Sequence, residues 1–236
     1  NTTVTGCDIQ LDATQGFNGV EITGNNTRLD NTNIQQNNAG ATDPYGVSVG
    51  ANNVKIDNCR ISGFGTPLGK GVILTDGSSD NLTITDTTFV NSAVGIYAVD
   101  VAHDNLIING CLFEVTQQAI NLSDSGIGKS HHTVKITSNT ISEAGATAVA
   151  IEGYRDWEFS GNTIDGQNGA TLLGLSVSGA DASNQRCRRF VVADNNIRGI
   201  ASLDAMLFDG YVQNGTITGN QIDCHIGTDI QVSANG

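Results

Sequence analysis

The sequence predicts an all-β chain: a right-handed parallel β-helix (solenoid) of about nine coils, each with three short strands. Two repeated patterns predict it. The first reads apolar-x-apolar, two residues, a small polar residue or Cys, then x and Ile or Phe. It appears as VKIDNCRI (54–61), LTITDTTF (82–89), LIINGCLF (106–113), VKITSNTI (134–141), WEFSGNTI (157–164), FVVADNNI (190–197) and GTITGNQI (215–222), with weaker copies ending at Ile9 and Ile34. The second is a small residue followed by apolar-x-apolar, as in Gly46-Val47-x-Val49, Gly71-Val72-x-Leu74 and Ala148-Val149-x-Ile151. Self-similarity at a period of 20–50 residues is the signature of a stacked repeat.

The central apolar residues of the first pattern are Val4, Leu29, Ile56, Ile84, Ile108, Ile136, Phe159, Val192 and Ile217, spaced by 23 to 33 residues. Within each coil the first strand alternates in and out, a tight turn follows, and the second strand carries one inward Ile or Phe. A variable loop leads to the third strand. Period-2 alternation specifies strands, and no stretch sustains the 3.6-residue period of a helix. Strands this short cannot bury an apolar face alone, so the coils must stack around one continuous core. At about 4.8 Å per step, nine coils make a rod of roughly 43 Å.

The turn position forms its own stack: Cys7, Thr32, Cys59, Thr87, Cys111, Asn139, Asn162, Asn195 and Asn220. Asn in a tight turn bonds backbone, tolerates left-handed dihedrals and pairs with an identical neighbour. An asparagine ladder is therefore expected in the second half, with Cys and Thr replacing it in the first. Cys7, Cys59 and Cys111 lie on alternate coils, about 9.6 Å apart, too far for a disulfide. The expected state is five reduced thiols, three of them small buried hydrophobes, which suits a chain folded in a reducing cytosol. No C-x-x-C spacing suggests a metal.

The formal charge is −13, from 24 acidic and 11 basic residues, which argues against nucleic acid or an anionic membrane as partner. No apolar run is long enough to span a bilayer. Solenoids need end caps, and neither a cap nor a leader is legible, so 1–236 reads as a single β-helix domain that is a fragment of a longer protein.

Chemistry on a solenoid must use outward positions and loops. The third strand points Glu21, Ser48, Ile73, Tyr97, Asn121, Ala150, Ser176, Leu207 and Gln231 outward. Just beyond it Asp76, Asp100 and Asp124 recur at 24-residue intervals. Carboxylates on consecutive coils would lie about 4.8 Å apart, the separation of a retaining glycosidase pair, and one coil more approaches the inverting range. Such a column shifts a carboxyl pKa upward or recruits a cation; no cofactor is expected, the alternative being a calcium ion at this column. The competing reading is structural, because Asp before Gly or Ser in a turn commonly bonds backbone N–H groups.

Around these coils lie further candidates. Tyr97 offers a ring to stack on a sugar or a subunit, and Asn121 is its neighbour. Glu114, Gln117 and Gln118 occupy the loop of coil five; Lys129, His131 and His132 follow Asp124; Glu143 lies in the loop of coil six, and Glu152 and Arg155 follow its third strand. Together they make a mixed acidic and basic groove. Arg186, Arg188 and Arg189 sit in the longest insertion and would hold an acidic sugar, a partner subunit or only water. Outward Ile73, Ile107, Val191 and Leu207 suggest packing against a neighbouring rod, as in a cyclic trimer.

The Asn-bearing turns and Gly-Val-x-Ile strands resemble the pectin-lyase-like right-handed β-helix superfamily over essentially the whole chain. That group includes polysaccharide lyases, glycoside hydrolases, mannuronan epimerases, phage tailspikes and adhesins, so the resemblance implies a fold before a function. There is no Tyr-Gly-x-Asp-Pro-His segment of the epimerase kind, and no Arg-x-Pro-x-x-Arg pattern of pectate lyases. The tailspike is the best analogue. It implies an extracellular or virion-associated homotrimer that binds and cleaves bacterial surface polysaccharide. Hydrolysis would use a pair from Asp76, Asp100, Asp124 and Glu152; substrate contacts would come from Tyr97, Asn121, Glu114, Gln118, Lys129, His131 and Arg155. The alternatives are a lyase or epimerase with Lys129 or His131 as base, and a non-catalytic adhesin or receptor-binding shaft.

Overall fold

The computed structural model describes the chain except residues 13–17, 38–42, 66–67, 76–78, 100–102, 124–130, 143, 167–170, 172, 180–185, 201–203, 225–227 and 235–236, and the side chains of Val99, His131, Cys224 and Ala234. It is a parallel β-solenoid of three nine-stranded sheets, each holding every third strand of the chain. Coil three, for example, contributes Lys55–Asp57, Arg60–Ser62 and Lys70–Leu74 to the first, second and third sheets. Coil seven contributes Tyr154–Ser160, Thr163–Asp165 and Leu173–Gly179. Among the described residues there is no helix, and so none long and apolar enough to cross a membrane.

The register matches the repeat. Ile56, Ile84, Ile108, Ile136, Phe159 and Val192 are successive Cα partners in the first sheet. Ile34, Ile61, Phe89, Phe113, Ile141 and Ile164 follow one another in the second, and Val47, Val72, Ile96, Ile120 and Val149 in the third. These side chains form one buried cluster along the axis. Aromatic rings stack where they coincide on adjacent coils: Phe89 on Phe113 at 4.8 Å and 2°, and Trp157 on Phe190 at 4.7 Å and 8°. Both are within the preferred centroid range for ring pairs.

The asparagine ladder is present. Asn139, Asn162 and Asn195 are buried, and each backbone N–H donates to the next coil's side-chain oxygen, as from Asn139 to Asn162 Oδ1 at 3.0 Å. Each Nδ2 donates back to the carbonyl of an inward residue, Asn162 to Ile136 at 2.9 Å and Asn195 to Phe159 at 3.0 Å. The left-handed backbone falls one residue earlier than the sequence reading placed it. Gly6, Asn31, Asn58, Asp86, Gly110, Ser138, Gly161, Asp194 and Gly219 all have φ between 46° and 66°. The ladder residue accepts bonds while its predecessor turns the chain, which explains why Gly, Asn and Asp dominate that preceding position.

Removing Asn162 tests the ladder. Alanine there leaves the buried Asn139 N–H without its acceptor and removes the Nδ2 bond to the Ile136 carbonyl, and about 1–3 kcal/mol of stability should be lost in denaturant titration. The reciprocal change, Cys111→Asn, should gain about 1 kcal/mol. Cys111 Sγ now makes only 3.6 Å contacts to the Ile84 and Asn109 carbonyls, next to an intact ladder acceptor at Asn139.

Cys59, Cys111 and Cys187 are buried, but Cys7 is exposed, a correction to the expected trio of buried turn cysteines. Cys7 lies on coil one, whose partner in the described residues is coil two. Cys187 is a free thiol on the first sheet, whereas Cys224 ends a strand of the second. Burial pushes the Cys111 and Cys187 thiols up to about 12, so both remain protonated and inert.

A second column of left-handed residues opens the first sheet: Asn26, Asn53, Asn81, Asn105, Thr133, Asp156, Arg189 and Asn214. Three of these form an exposed ladder, with Asn81 Nδ2 donating to Asn53 Oδ1 at 2.9 Å and Asn105 Nδ2 to Asn81 Oδ1 at 3.0 Å. Further along the same sheet Asp57 accepts from Thr85 Oγ1 and pairs with Lys55 and Arg28 at 2.9 Å. The Thr85 bond, then Lys55, holds its carboxyl below the ordinary value. A depressed carboxyl stabilises the fold above its unfolded pKa, and that contribution disappears as pH falls through the folded one. Asp57→Asn is therefore expected to flatten the loss of melting temperature below about pH 4 and to leave the neutral-pH slope unchanged.

Candidate functional site

The outer face of the third sheet has the predicted column. Glu21, Ser48, Ile73, Tyr97, Asn121, Ala150, Ser176, Leu207 and Gln231 are successive register partners. Each third strand begins earlier than the Gly-Val-x-Ile motif suggests, as in Tyr45–Val49, Lys70–Leu74 and Gln118–Ser123. The residues thus added, Tyr45 and Lys70, are register partners on coils two and three.

These two residues join Tyr97 of coil four and Asp43 in a polar and aromatic cluster on that face. The Lys70 ammonium lies 2.5 Å from Asp43 Oδ1. It sits 5.1 Å from the Tyr45 ring centroid and 5.2 Å from that of Tyr97, so the cation is held between two rings. Tyr45 donates its hydroxyl to Asp43 Oδ2 at 3.3 Å. Asp43 takes a left-handed backbone (φ 52°), one of the few settings in which Asp rather than Gly is at ease. Burial, then the Asp43 carboxylate, raises the Tyr45 phenol above its ordinary value, so it keeps its proton through the neutral range. Lys70 is only 8% exposed, which means its charge is desolvated and fixed in position rather than waving in water.

On coil five Asn121 Nδ2 donates to Gln118 Oε1 at 2.9 Å, and the buried Asn121 Oδ1 has no hydrogen-bond partner among the described residues. The structure thus brings Tyr97, Asn121 and Gln118 to one face, beside Asp43, Tyr45 and Lys70, which the sequence reading did not single out. The signal was available: four Lys occur in the chain, and Lys70 opens a strand at a position held by Val94 one coil on.

Other candidates fall elsewhere. Glu114 ends a strand of the second sheet, in register with Val90 and Ser142, and so faces away from Tyr97. Glu152 ends the third strand of coil six opposite Ser178. Arg155 opens the first sheet between His132 and Arg188, and His131 is the partner of Tyr154 there. Asp76, Asp100, Asp124, Lys129 and Glu143 lie outside the described residues. Among the described residues no group of three His, Cys, Asp or Glu side chains is arranged to hold a metal ion.

The outward aliphatic residues are single side chains in polar surroundings. Lys135 and Glu158 separate Ile107 from Val191, Ile73 lies between Ser48 and Tyr97, and Leu207 between Ser176 and Gln231.

A parallel solenoid with an internal Asn ladder and an outward polar face defines a class, and comparison with known proteins gives its family. Residues 1–129 match the model of the right-handed β-helix region, and the chain belongs to that family. This is the pectin-lyase-like superfamily that its turns and strands resemble. Among solved structures, alginate lyase from Paenibacillus sp. str. FPU-7 superposes with a TM-score of 0.77 at 16% identity, over 97% of this chain and 80% of that one. A hyperthermoactive exopolygalacturonase from Thermotoga maritima gives 0.61 at 13%, over 93% and 52%. The tailspike protein of E. coli bacteriophage HK620, as a double mutant, gives 0.58 at 13%, over 89% and 41%. The chain thus spans most of the first structure and about half or less of the other two. At these identities the likeness is one of fold. No curated protein matches the chain by sequence.

Proposed function

We propose that the outer face of the third sheet, on coils two to five, binds an anionic polysaccharide and cleaves it by β-elimination. The Lys70 ammonium held between Tyr45 and Tyr97 carries this reading. The similar solved structures support it in kind, since they include an alginate lyase, an exopolygalacturonase and a tailspike.

A uronate residue would place its carboxylate on Lys70, taking over the role Asp43 has in the free protein. Pairing the carboxylate with a cation makes the proton on the adjacent carbon easier to remove, because negative charge grows there in the transition state. In this reading Tyr97 is the base that takes that proton. The electron pair left behind forms a carbon–carbon double bond as the glycosidic oxygen departs from the next carbon. Tyr45, which stays protonated, donates to the departing oxygen. The rings offer apolar faces to the sugars, and Gln118 and Asn121 extend the polar surface by one coil. Polymers of this kind lie outside cells, and the proposed action is accordingly extracellular.

The test is to incubate the protein with polyuronates, including alginate and polygalacturonate, and with bacterial surface glycans. Products with the ultraviolet absorbance of an unsaturated sugar, from the uronate polymers alone, support elimination. New reducing ends without that absorbance would mean hydrolysis, the role first read for Asp76, Asp100, Asp124 and Glu152, and would overturn the reading. So would retention without turnover, the behaviour of an adhesive or receptor-binding shaft.

A further inference from the structure

We propose that the corner where the third sheet passes into the first, on coils six to eight, is a second, non-catalytic site that binds the carboxylate or sulfate groups of a polysaccharide. It stands on residues far from Lys70 and does not depend on the elimination reading.

The corner carries a row of cationic or protonatable side chains in strict register. His132 is the partner of Arg155, and Arg155 of Arg188, on three consecutive coils. Their spacing is that of neighbouring strands, about 4.8 Å. Arg189 extends the row sideways. Its Nε and Nη2 donate to the two carboxylate oxygens of Asp156, each at 2.6 Å, and His132 Nδ1 lies 3.8 Å from Asp156 Oδ2. Arg186 lies 5.1 Å from the centroid of the Tyr211 ring. Four of the seven arginines in a chain of net charge −13 thus gather on this corner.

Clustering of like charge is unfavourable in isolation, and the molecule registers the cost. Burial, then the charges of Arg188 and Arg189, push the Arg155 guanidinium below its ordinary value. The carboxylates at the corner among the described residues are Asp156, Asp104 and Glu152. Asp156 pairs with Arg189, Asp104 Oδ1 accepts the His132 backbone N–H at 3.1 Å, and Glu152, Arg155, Arg186 and Arg188 have further polar or electrostatic contacts that a polymer would rearrange. The guanidinium fork matches the two-oxygen edge of a carboxylate or sulfate. A row that repeats along the rod axis suits a ligand whose charges also repeat, a polymer rather than a single small anion. A purely structural role would require only that each arginine cover the turn beneath it, with no need for one sign of charge on successive coils.

Affinity electrophoresis of the full chain through gels containing polygalacturonate, chondroitin sulfate or neutral dextran tests this. The wild type should be retarded by the two anionic polymers, less so as salt rises, and not by dextran. The double variant Arg155→Gln, Arg188→Gln should weaken that binding by roughly tenfold or more, the effect of losing charge-assisted hydrogen bonds. Arg155→Lys with Arg188→Lys, which keeps charge and most of the packing, should lose less. Arg198→Gln should be retarded like the wild type, because Arg198 is paired with Asp165 on the second sheet; Lys70→Met, which alters the other face, should keep the share of the retardation that the corner supplies. The proposal is overturned if neither anionic polymer retards the wild type, or if the folded glutamine or lysine variants migrate as it does. Loss of retardation in Lys70→Met alone would also overturn it, by placing all polymer binding at the other face.

Discussion

Truncating Phe113 to alanine should cost about 3–5 kcal/mol, the largest stability loss expected from any single side chain named here. Phe113 is fully buried and its ring lies flat on that of Phe89, in a column where Ile61 precedes and Ile141 follows. The glycine row is shaped around these rings: a Cβ at Gly95 would meet Phe113 Cδ1 at 2.6 Å, and one at Gly71 would meet Phe89 Cδ1 at the same distance. With glycine behind it and backbone fixed above and below, the cavity left by the ring has little means to close. Domain stabilities are of order 5–15 kcal/mol, so the midpoint of urea unfolding should move far. Val191→Ala, at a side chain 41% exposed, should change it by less than about 0.5 kcal/mol. Similar small shifts from both substitutions would mean that the stacked rings are not what holds the coils together.

Lys70→Met is expected to remove cleavage of a polyuronate, by about 10²–10³-fold in kcat, while the protein remains folded. Methionine keeps most of the apolar stem that packs between Tyr45 and Tyr97 and deletes only the ammonium. Asp43 is 42% exposed at its side chain, so water can take over its hydration and the stability cost should be modest. Tyr97→Phe should show a comparable loss of turnover with a shift in melting no larger than the loss of about one hydrogen bond causes, because it removes a hydroxyl and keeps the ring. Parallel melting curves separate a catalytic loss from an unfolding one. A Lys70→Met variant that cleaves like the wild type would remove the assigned site.

The solenoid was legible because its core is written as a column. Each inward position is repeated at nearly every coil, so Ile56, Ile84, Ile108 and Ile136 could be aligned before their register was seen. The outward column from Glu21 to Gln231 followed from the same alternation. Turn details were less legible. The ladder Asn and its left-handed neighbour are adjacent, and composition alone does not say which one turns the chain. The exposed column Asn53, Asn81 and Asn105 escaped notice because its residue type changes halfway along, to Thr133, Asp156 and Arg189.

The candidate site was harder still. Asp43, Tyr45, Lys70 and Tyr97 come from three coils, and no two of them share a motif. Tyr45 and Lys70 stand one residue ahead of the glycine that seemed to open each strand, where the repeat carries no apolar signal. Glu114 and Gln118 are close in sequence but lie on different sheets, since the chain changes sheet between them. Asp76, Asp100 and Asp124 lie outside the described residues, and regular spacing in sequence does not by itself fix spacing in space.

The most direct measurement of the central claim is a crystal structure of the Tyr97→Phe variant soaked with a short oligouronate. The account predicts a sugar carboxylate within hydrogen-bonding distance of Lys70 Nζ, with a ring of the oligosaccharide against Tyr45 or the phenyl group at position 97. Sugar bound solely along Glu152 and the neighbouring loop carboxylates, with the Lys70–Asp43 pair undisturbed, would contradict it.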